Sequence, residues 1–289
     1  MRYRFIEQHR QQFPIGTLCR VMGVSPSGYY GWRSRPESRR ARQNRALVVQ
    51  IKAAHRCSRQ SYGRRRVHAS LRQEGVCCSL GRVARLMRQA GLAGKRRRRG
   101  RSTTDSRHRL PVAPNLLARN FTATAPNQVW CADISYLPCA EGWQYLATVL
   151  DLHNREIVGW ATGASLAREL PLAALEMALA RRQPPAGLIH HSDRGVQYAC
   201  SDYQAKLASR GLICSMSRKG DPWDNAPQES FFGTLKTELV GDWGQPGRAQ
   251  VARELFDYIE VFYNRQRLHS ALGYLSPVAY AAQCSAKAA

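Results

Sequence analysis

The sequence predicts a basic, all-α amino-terminal region followed by an α/β unit built on a sheet of mixed direction. Three observations carry this reading. The net positive charge sits entirely in the front: residues 1–110 hold 28 Lys and Arg against 4 Asp and Glu, whereas residues 111–289 hold 16 of each. The front also contains two helix-turn-helix spacings. The back reads as three hairpinned strands followed by alternating helix and strand, which is the order of a mixed α/β sheet.

In chain order, Ile15 to Trp32 reads as a helix, a turn at Gly23, a cap at Ser25 and a second helix entered through Pro26. Ser34 to Arg45 is Arg-rich and polar, a linker or the opening of a charged helix. Leu47, Val48, Ile51 and Ala54 then recur at helical intervals. The second helix-turn-helix candidate has a helix through Val67 and Leu71, a turn at Glu74-Gly75, Ser79 as cap, and a helix from Leu80 to Ala90. Its apolar face is Val83, Leu86, Met87 and Ala90, which leaves Arg82, Arg85 and Gln89 together opposite, with Arg88 at the edge. Arg and Gln are the side chains that read guanine and adenine edges in a major groove. The run Lys95, Arg96, Arg97, Arg98, Arg99, Gly100, Arg101 closes the region, and such a run orders on meeting a polyanion. The block as a whole is an electrostatic footprint for phosphate backbones.

Residues 111–122, with Pro111 and Pro114, read as a linker, residues 123–245 as the α/β unit and residues 246–289 as a helical extension. Strands are expected at Gln128–Tyr136, Gln144–Leu150 and Glu156–Thr162, the last two joined by a turn at Asp151-Leu-His-Asn154, which makes Asp151 a turn residue. A helix over Leu170–Arg182, a strand over Gly187–His191, a helix from the Ser201 cap to Arg210 stopped by Gly211, and a strand over Leu212–Ser217 follow. Glu229 opens a further helix, with Asn225 as cap and Pro227 at the first helical position. On it, Asn225, Glu229, Gly233 and Lys236 share one face while Phe231, Phe232, Leu235 and Leu239 cover the other. Gln250 to Tyr263 is an amphipathic helix, and Tyr263 is expected in the core.

Three acids stand out. Asp133 interrupts a period-two run in which Trp130, Ala132, Ile134 and Tyr136 share a face, an expensive place for a carboxylate without a purpose. Asp193 follows a short apolar run at the carboxyl end of a strand, where sites gather. Glu229 lies in the first turn of its helix. Three carboxylates on separate elements can supply the oxygen ligands of a two-Mg²⁺ site. Lys236, two turns on, is placed to meet a phosphate or developing negative charge. Arg218, Lys219 and Trp223 lie in a loop near these acids and are candidates for DNA contact. His190, His191 and His269 are expected to be structural.

Other classes are excluded by pattern. No apolar run has the length to span a bilayer, no signal-peptide core follows Met1, and a soluble intracellular protein is expected. Nine cysteines without a C-x-x-C argue against a disulfide framework or a zinc ribbon, so no zinc is expected.

Between Asp133 and Asp193 lie 59 residues, and between Asp193 and Glu229 lie 35. With W-x-x-D-I-S-Y at 130–136, H-S-D-R-G-x-Q-Y at 191–198, D-N-A-x-x-E-S-F-F-x-x-L-K-x-E at 224–238 and Y-N-x-x-R-x-H-S-A-L-G-Y-x-S-P at 263–277, the chain resembles the second-frame (OrfB) transposases of the insertion-sequence-three family. These belong to the DDE transposase and retroviral-integrase superfamily. The resemblance implies a ribonuclease H-like core and Asp133, Asp193 and Glu229 as catalytic and metal-holding residues. It further implies two Mg²⁺ ions with Mn²⁺ able to substitute, cleavage at element ends, and 3′-OH strand transfer into target DNA. Partners implied are terminal-repeat and target DNA, other copies of the chain, and an upstream-frame OrfA product or a frameshift fusion with it. The implied location is the bacterial cytoplasm, at the nucleoid. A metal-dependent nuclease of the same fold and a non-catalytic DNA-binding regulator are the alternative functions.

Overall fold

The computed structural model describes residues 1–96, 110–218 and 221–288. The chain divides into two compact units, Met1–Ala53 and Ala54–Ala289.

In the first unit, helices α1 (Arg2–His9), α2 (Ile15–Val21) and α3 (Pro26–Ser34) close on Ile6, Leu18, Cys19 and Tyr29. The turn between α2 and α3 uses Gly23 at φ 62°, a backbone state that costs glycine little. Ser25 Oγ then accepts the Gly28 amide at 3.0 Å, the cap expected from the sequence. Helix α4 (Arg39–Cys57) straddles the division between the units and buries Leu47, Ile51 and Ala54.

The second unit begins with the helix-turn-helix pair α5 (Arg64–Gln73) and α6 (Leu80–Gln89). Val67 and Leu71 pack from one helix, Val83, Leu86 and Met87 from the other, and Ser79 Oγ accepts the Arg82 amide at 3.2 Å. The apolar stripe and the cap together fix where α6 starts and which side faces out.

A five-stranded sheet follows: β1 (Val129–Cys139), β2 (Gly142–Asp151), β3 (Ile157–Gly163), β4 (Ile189–Ser192) and β5 (Ile213–Met216). Its order is β3-β2-β1-β4-β5, with β2 antiparallel to both neighbours and β1, β4 and β5 mutually parallel. This mixed sheet with its helices is the ribonuclease H-like arrangement. Strand β1 runs three residues past the expected end, through Pro138. That proline is tolerated because β4 pairs only with Val129–Cys131, which leaves one side of β1 free of ladder bonds further along.

One face of the sheet packs on α7 (Glu169–Arg182), α8 (Val196–Ala199) and α9 (Ser201–Ser209) through Trp130, Ala132, Ala147, Val149, Leu175, Tyr203 and their neighbours. At Gly159 an added Cβ would lie 2.1 Å from the Ala174 carbonyl oxygen, so β3 and α7 approach backbone to backbone. Ser201 begins α9 rather than capping it; Cys200 occupies the cap position. The other face is covered by α10 (Ala226–Glu238), which buries Phe231, Phe232 and Leu235. After it, α11 (Arg248–Phe256) continues as π-helical turns over Asp257–Tyr263, and α12 (Pro277–Ala288) ends the chain. Tyr263 is buried as expected.

Among the described residues no helix is long and apolar enough to cross a membrane. All nine cysteines are free.

Candidate active site

Asp133 lies mid-way along β1, opposite Thr148 of β2, with its Oδ1 accepting the Ile134 amide at 2.8 Å. Asp193 is the first residue beyond β4, and its Oδ1 accepts the Gly195 amide at 2.9 Å. Glu229 is exposed in the first turn of α10. The helix is laid against Asp133 by its own side chains. Asn225 Nδ2 donates to the Ala132 carbonyl at 3.1 Å, and Gln228 Nε2 donates to the Cys131 carbonyl and, at 3.3 Å, to that of Thr148. Thr148 Oγ1 completes the set by donating to Gln228 Oε1 at 3.0 Å. The two carbonyls immediately before Asp133 are thus both held by α10.

Asn225 was expected to cap the helix with its side chain. It occupies the cap position but makes no side-chain cap bond: its Nδ2 donates to the buried Ala132 carbonyl, its Oδ1 meets no donor among the described residues, and Pro227 lies one place beyond the first helical residue. Gln228 carries no local sequence signal; only the fold brings it to β1 and β2.

The β4 end is held to the start of α10 by His191. Its Nδ1 meets Ser215 Oγ at 2.8 Å, while Nε2 lies 3.0 Å from the Asp224 carbonyl, to which it donates, and 3.2 Å from Ser217 Oγ. Burial pushes this imidazole down to about 4, so it is neutral near pH 7. His190, fully buried against Tyr203, is pushed down to about 3 and His269 to about 2, both chiefly by burial. All three imidazoles are thus held neutral near pH 7.

The turn before α10 is organised by Asp224, whose carboxylate is enclosed and accepts from Arg218 N at 2.8 Å, Arg218 Nη2 at 2.8 Å, Asn115 Nδ2 at 2.8 Å and Arg119 Nε at 3.3 Å. Arg218 in particular holds the Asp224 carboxyl well below the usual range. Arg218 is thus tied to Asp224 while its side chain stays about half exposed, 54%. Trp223 stands exposed beside it, and Lys219 lies outside the described residues.

The electrostatics tie the three acids together. Desolvation first, then Asp193 and Glu229, lift the Asp133 carboxyl well above its ordinary 3.8, while the Ile134 amide and Lys236 pull it back. Two half-buried carboxylates and the exposed Glu229 are an all-oxygen donor set of the kind that hard divalent cations take. Among the described residues no three His, Cys, Asp or Glu side chains lie close enough together to hold an ion. Lys236 is exposed on α10, its ammonium lowered by partial burial and raised by Asp133.

The residues expected to meet DNA divide. Arg85 and Gln89 are exposed on α6, Arg82 is half-buried there, and Arg96 is exposed after it. Lys95 instead donates through Nζ to the Glu238 carbonyl at 2.9 Å, at the end of α10. Arg97, Arg98 and Arg99 lie outside the described residues.

Known families match these segments. Integrase core domain models match residues 123–222 and 210–277, and an HTH-like domain model matches residues 42–100. The transposase InsF of insertion sequence IS3A from Escherichia coli (strain K12) is 42% identical over 96% of this chain and 97% of its own length. The chain belongs to the IS3 family of transposases. The uncharacterized 31 kDa protein of insertion element IS600 from Shigella sonnei is 48% identical over 91% of this chain and 97% of its own. Among solved structures, a chain of the simian T-cell lymphotropic virus intasome in complex with a PP2A regulatory subunit is similar with a TM-score of 0.46 and 15% identity, covering 73% of this chain and 69% of that one. As a member of this family the protein is a DDE polynucleotidyl transferase that acts in DNA transposition and integration.

Proposed function

We propose that Asp133, Asp193 and Glu229 are the catalytic carboxylates of this transposase and hold two Mg²⁺ ions, with Mn²⁺ able to substitute. The placement of Asp133 inside β1, where burial first and then the nearby Asp193 and Glu229 raise its carboxyl, is the observation that supports this most directly. When bound, such ions lower the pKa of an attacking water or 3′-OH and stabilise the leaving 3′-oxygen of an in-line phosphodiester displacement. Asp133, on a central strand, is the rigid member of the set. Asp193 is kept turned by its bond to the Gly195 amide, and Arg194 Nε, donating to the Ser217 carbonyl at 2.6 Å, pins the loop that carries it. Glu229 comes in on α10, held by Asn225 and Gln228. Lys236, on the same helix, faces the charge that builds up on a reacting phosphate.

The reactions we assign are cleavage at insertion-sequence ends and attack of the exposed 3′-OH on target DNA, with no covalent protein intermediate. Arg82, Arg85, Gln89 and the Arg96–Arg99 run are the proposed DNA-binding residues, Arg85 and Gln89 best exposed to reach base edges, whereas Lys95, expected among them, has its ammonium on the Glu238 carbonyl. We take residues 1–110 as the DNA-binding region, 111–122 as linker, 123–245 as catalytic core and 246–289 as helical extension. Multiple copies on DNA, an upstream-frame OrfA product or fusion, and a place in the cytoplasm at the nucleoid complete the reading. Asp193→Asn protein tests it: DNA binding is retained while strand transfer is abolished. Full joining activity in that variant would remove Asp193 from the site.

A further inference from the structure

Glu238 is an acid in the last turn of α10, where the partial negative charge of a helix carboxyl end disfavours one. It is also buried. Arg267 meets it as a two-pronged fork, Nε to Oε2 at 2.8 Å and Nη2 to Oε1 at 2.7 Å, and is itself buried. Tyr258 donates its hydroxyl to Oε2 at 2.9 Å, and Arg66 Nη1 lies 3.8 Å from Oε1. Lys95 Nζ takes the main-chain carbonyl of the same residue at 2.9 Å. Beside this hub, Tyr62 Oη accepts the Leu268 amide at 2.6 Å, and Tyr263 packs edge-on to Phe231 of α10 at 4.8 Å between ring centroids.

Three stretches far apart in sequence therefore converge on one helix end. Arg66 and Lys95 come from the HTH-like segment, Tyr258 and Arg267 from the segment after α11, and Glu238 from the helix that carries Glu229. A buried ion pair is a poor way to add stability, since well-packed apolar side chains of the same volume do as well or better. What it does supply is one geometry: a guanidinium fork accepts a carboxylate in a single plane and orientation. That fixes both the rotation and the axial position of α10 at its far end. Nine residues earlier on the same rod, about 14 Å at 1.5 Å per residue, sits Glu229.

We propose that Glu238 and Arg267, supported by Arg66, Tyr258 and Lys95, are positioning residues that set the register of α10 and so deliver Glu229 to Asp133 and Asp193. The catalytic helix is thereby aligned by the DNA-binding segment itself, and no hub residue touches the reacting atoms. This rests on the assignment of the three acids as the ion-holding site.

The test compares wild type, Glu238→Gln, Arg267→Lys, Arg66→Gln and Glu229→Gln full-length proteins. The rise in Tm with added Mn²⁺ and the affinity for a labelled element end are measured on each, beside strand transfer across a Mn²⁺ titration. Glu238→Gln and Arg267→Lys are expected to raise the half-saturating Mn²⁺ concentration roughly tenfold, the size of effect seen when a ligand's support is removed. DNA affinity stays at the wild-type value, and Arg66→Gln shifts Mn²⁺ in the same direction by less. Should Glu238→Gln fail to fold, Tyr258→Phe deletes one bond to the carboxylate while keeping the ring, and carries the same expectation at smaller size. Lowered Tm with an unchanged Mn²⁺ midpoint would make the hub a structural brace only and overturn the proposal. A wild type whose Tm ignores Mn²⁺ would instead overturn the reading of the acids beneath it.

Discussion

Gln228→Leu removes the ties between α10 and the sheet without changing side-chain volume much. Three hydrogen bonds go: Nε2 to the Cys131 carbonyl, Nε2 to the Thr148 carbonyl at 3.3 Å, and Thr148 Oγ1 to Oε1 at 3.0 Å. At a net value of about 1 kcal/mol each, they contribute about 3 kcal/mol. The Thr148 hydroxyl, 1% exposed, also loses the Gln228 Oε1 acceptor, which adds about 1 kcal/mol or more of uncompensated desolvation. Leucine returns some of this through apolar burial at a position that is 0% exposed, leaving a loss of about 2–4 kcal/mol. In a domain of this size that lowers Tm by about 5–15 °C. Thermal and urea melts with an unchanged m-value measure it, and strand transfer well below the new Tm should fall with it because Glu229 is the next residue. Stability within about 0.5 kcal/mol of wild type, with full activity, would refute the claim that Gln228 seats the catalytic helix.

The Asp133 carboxyl is held above its ordinary 3.8 in the folded protein, so between 3.8 and the raised value the native state binds a proton that the unfolded chain has lost. Stability therefore falls as pH rises through that window, and Asp133→Asn flattens the slope; metal-free melts across pH should show the variant more stable than wild type at neutrality, though inactive. Gly159→Ala drives a methyl group into the Ala174 carbonyl, 2.1 Å away, and neither backbone can yield cheaply, so a loss of about 3 kcal/mol or no folded protein is expected from expression and urea melts. Arg82→Ala and Arg85→Ala should each reduce the slope of log K against log salt by about 0.9 if the side chain neutralises a phosphate, as read by anisotropy on duplex DNA.

The candidate acids were picked out by local pattern. Asp133 sat mid-strand among apolar neighbours, Asp193 closed a buried strand, and Glu229 opened a helix whose other face is Phe231, Phe232 and Leu235. The sheet was legible for the same reason, through alternation and turn residues; Asp151, read as a turn residue, is the last residue of β2 and accepts the His153 amide of the turn and the Asn127 amide ahead of β1 at 2.9 Å each. What seats the acids was not legible. Asn225 has the chemistry of a cap and stands at the cap position, but its Nδ2 serves the Ala132 carbonyl, 93 residues away, and its Oδ1 caps nothing. Gln228, Glu238 and Arg267 are ordinary residues in their own segments and acquire meaning only from partners that the fold supplies. Lys95 read as part of a basic run because the carbonyl it serves lies 143 residues downstream. Long-range polar pairing leaves no trace in local periodicity, whereas burial does.

Strand transfer of a labelled 3′-OH element end into plasmid DNA, run with Mg²⁺, with EDTA, and with Glu229→Gln protein, tests the central assignment most directly. Joined product with Mg²⁺ alone, lost with EDTA and lost in a variant that still binds the end, is the expected result. Joining that persists in EDTA or in Glu229→Gln would contradict it.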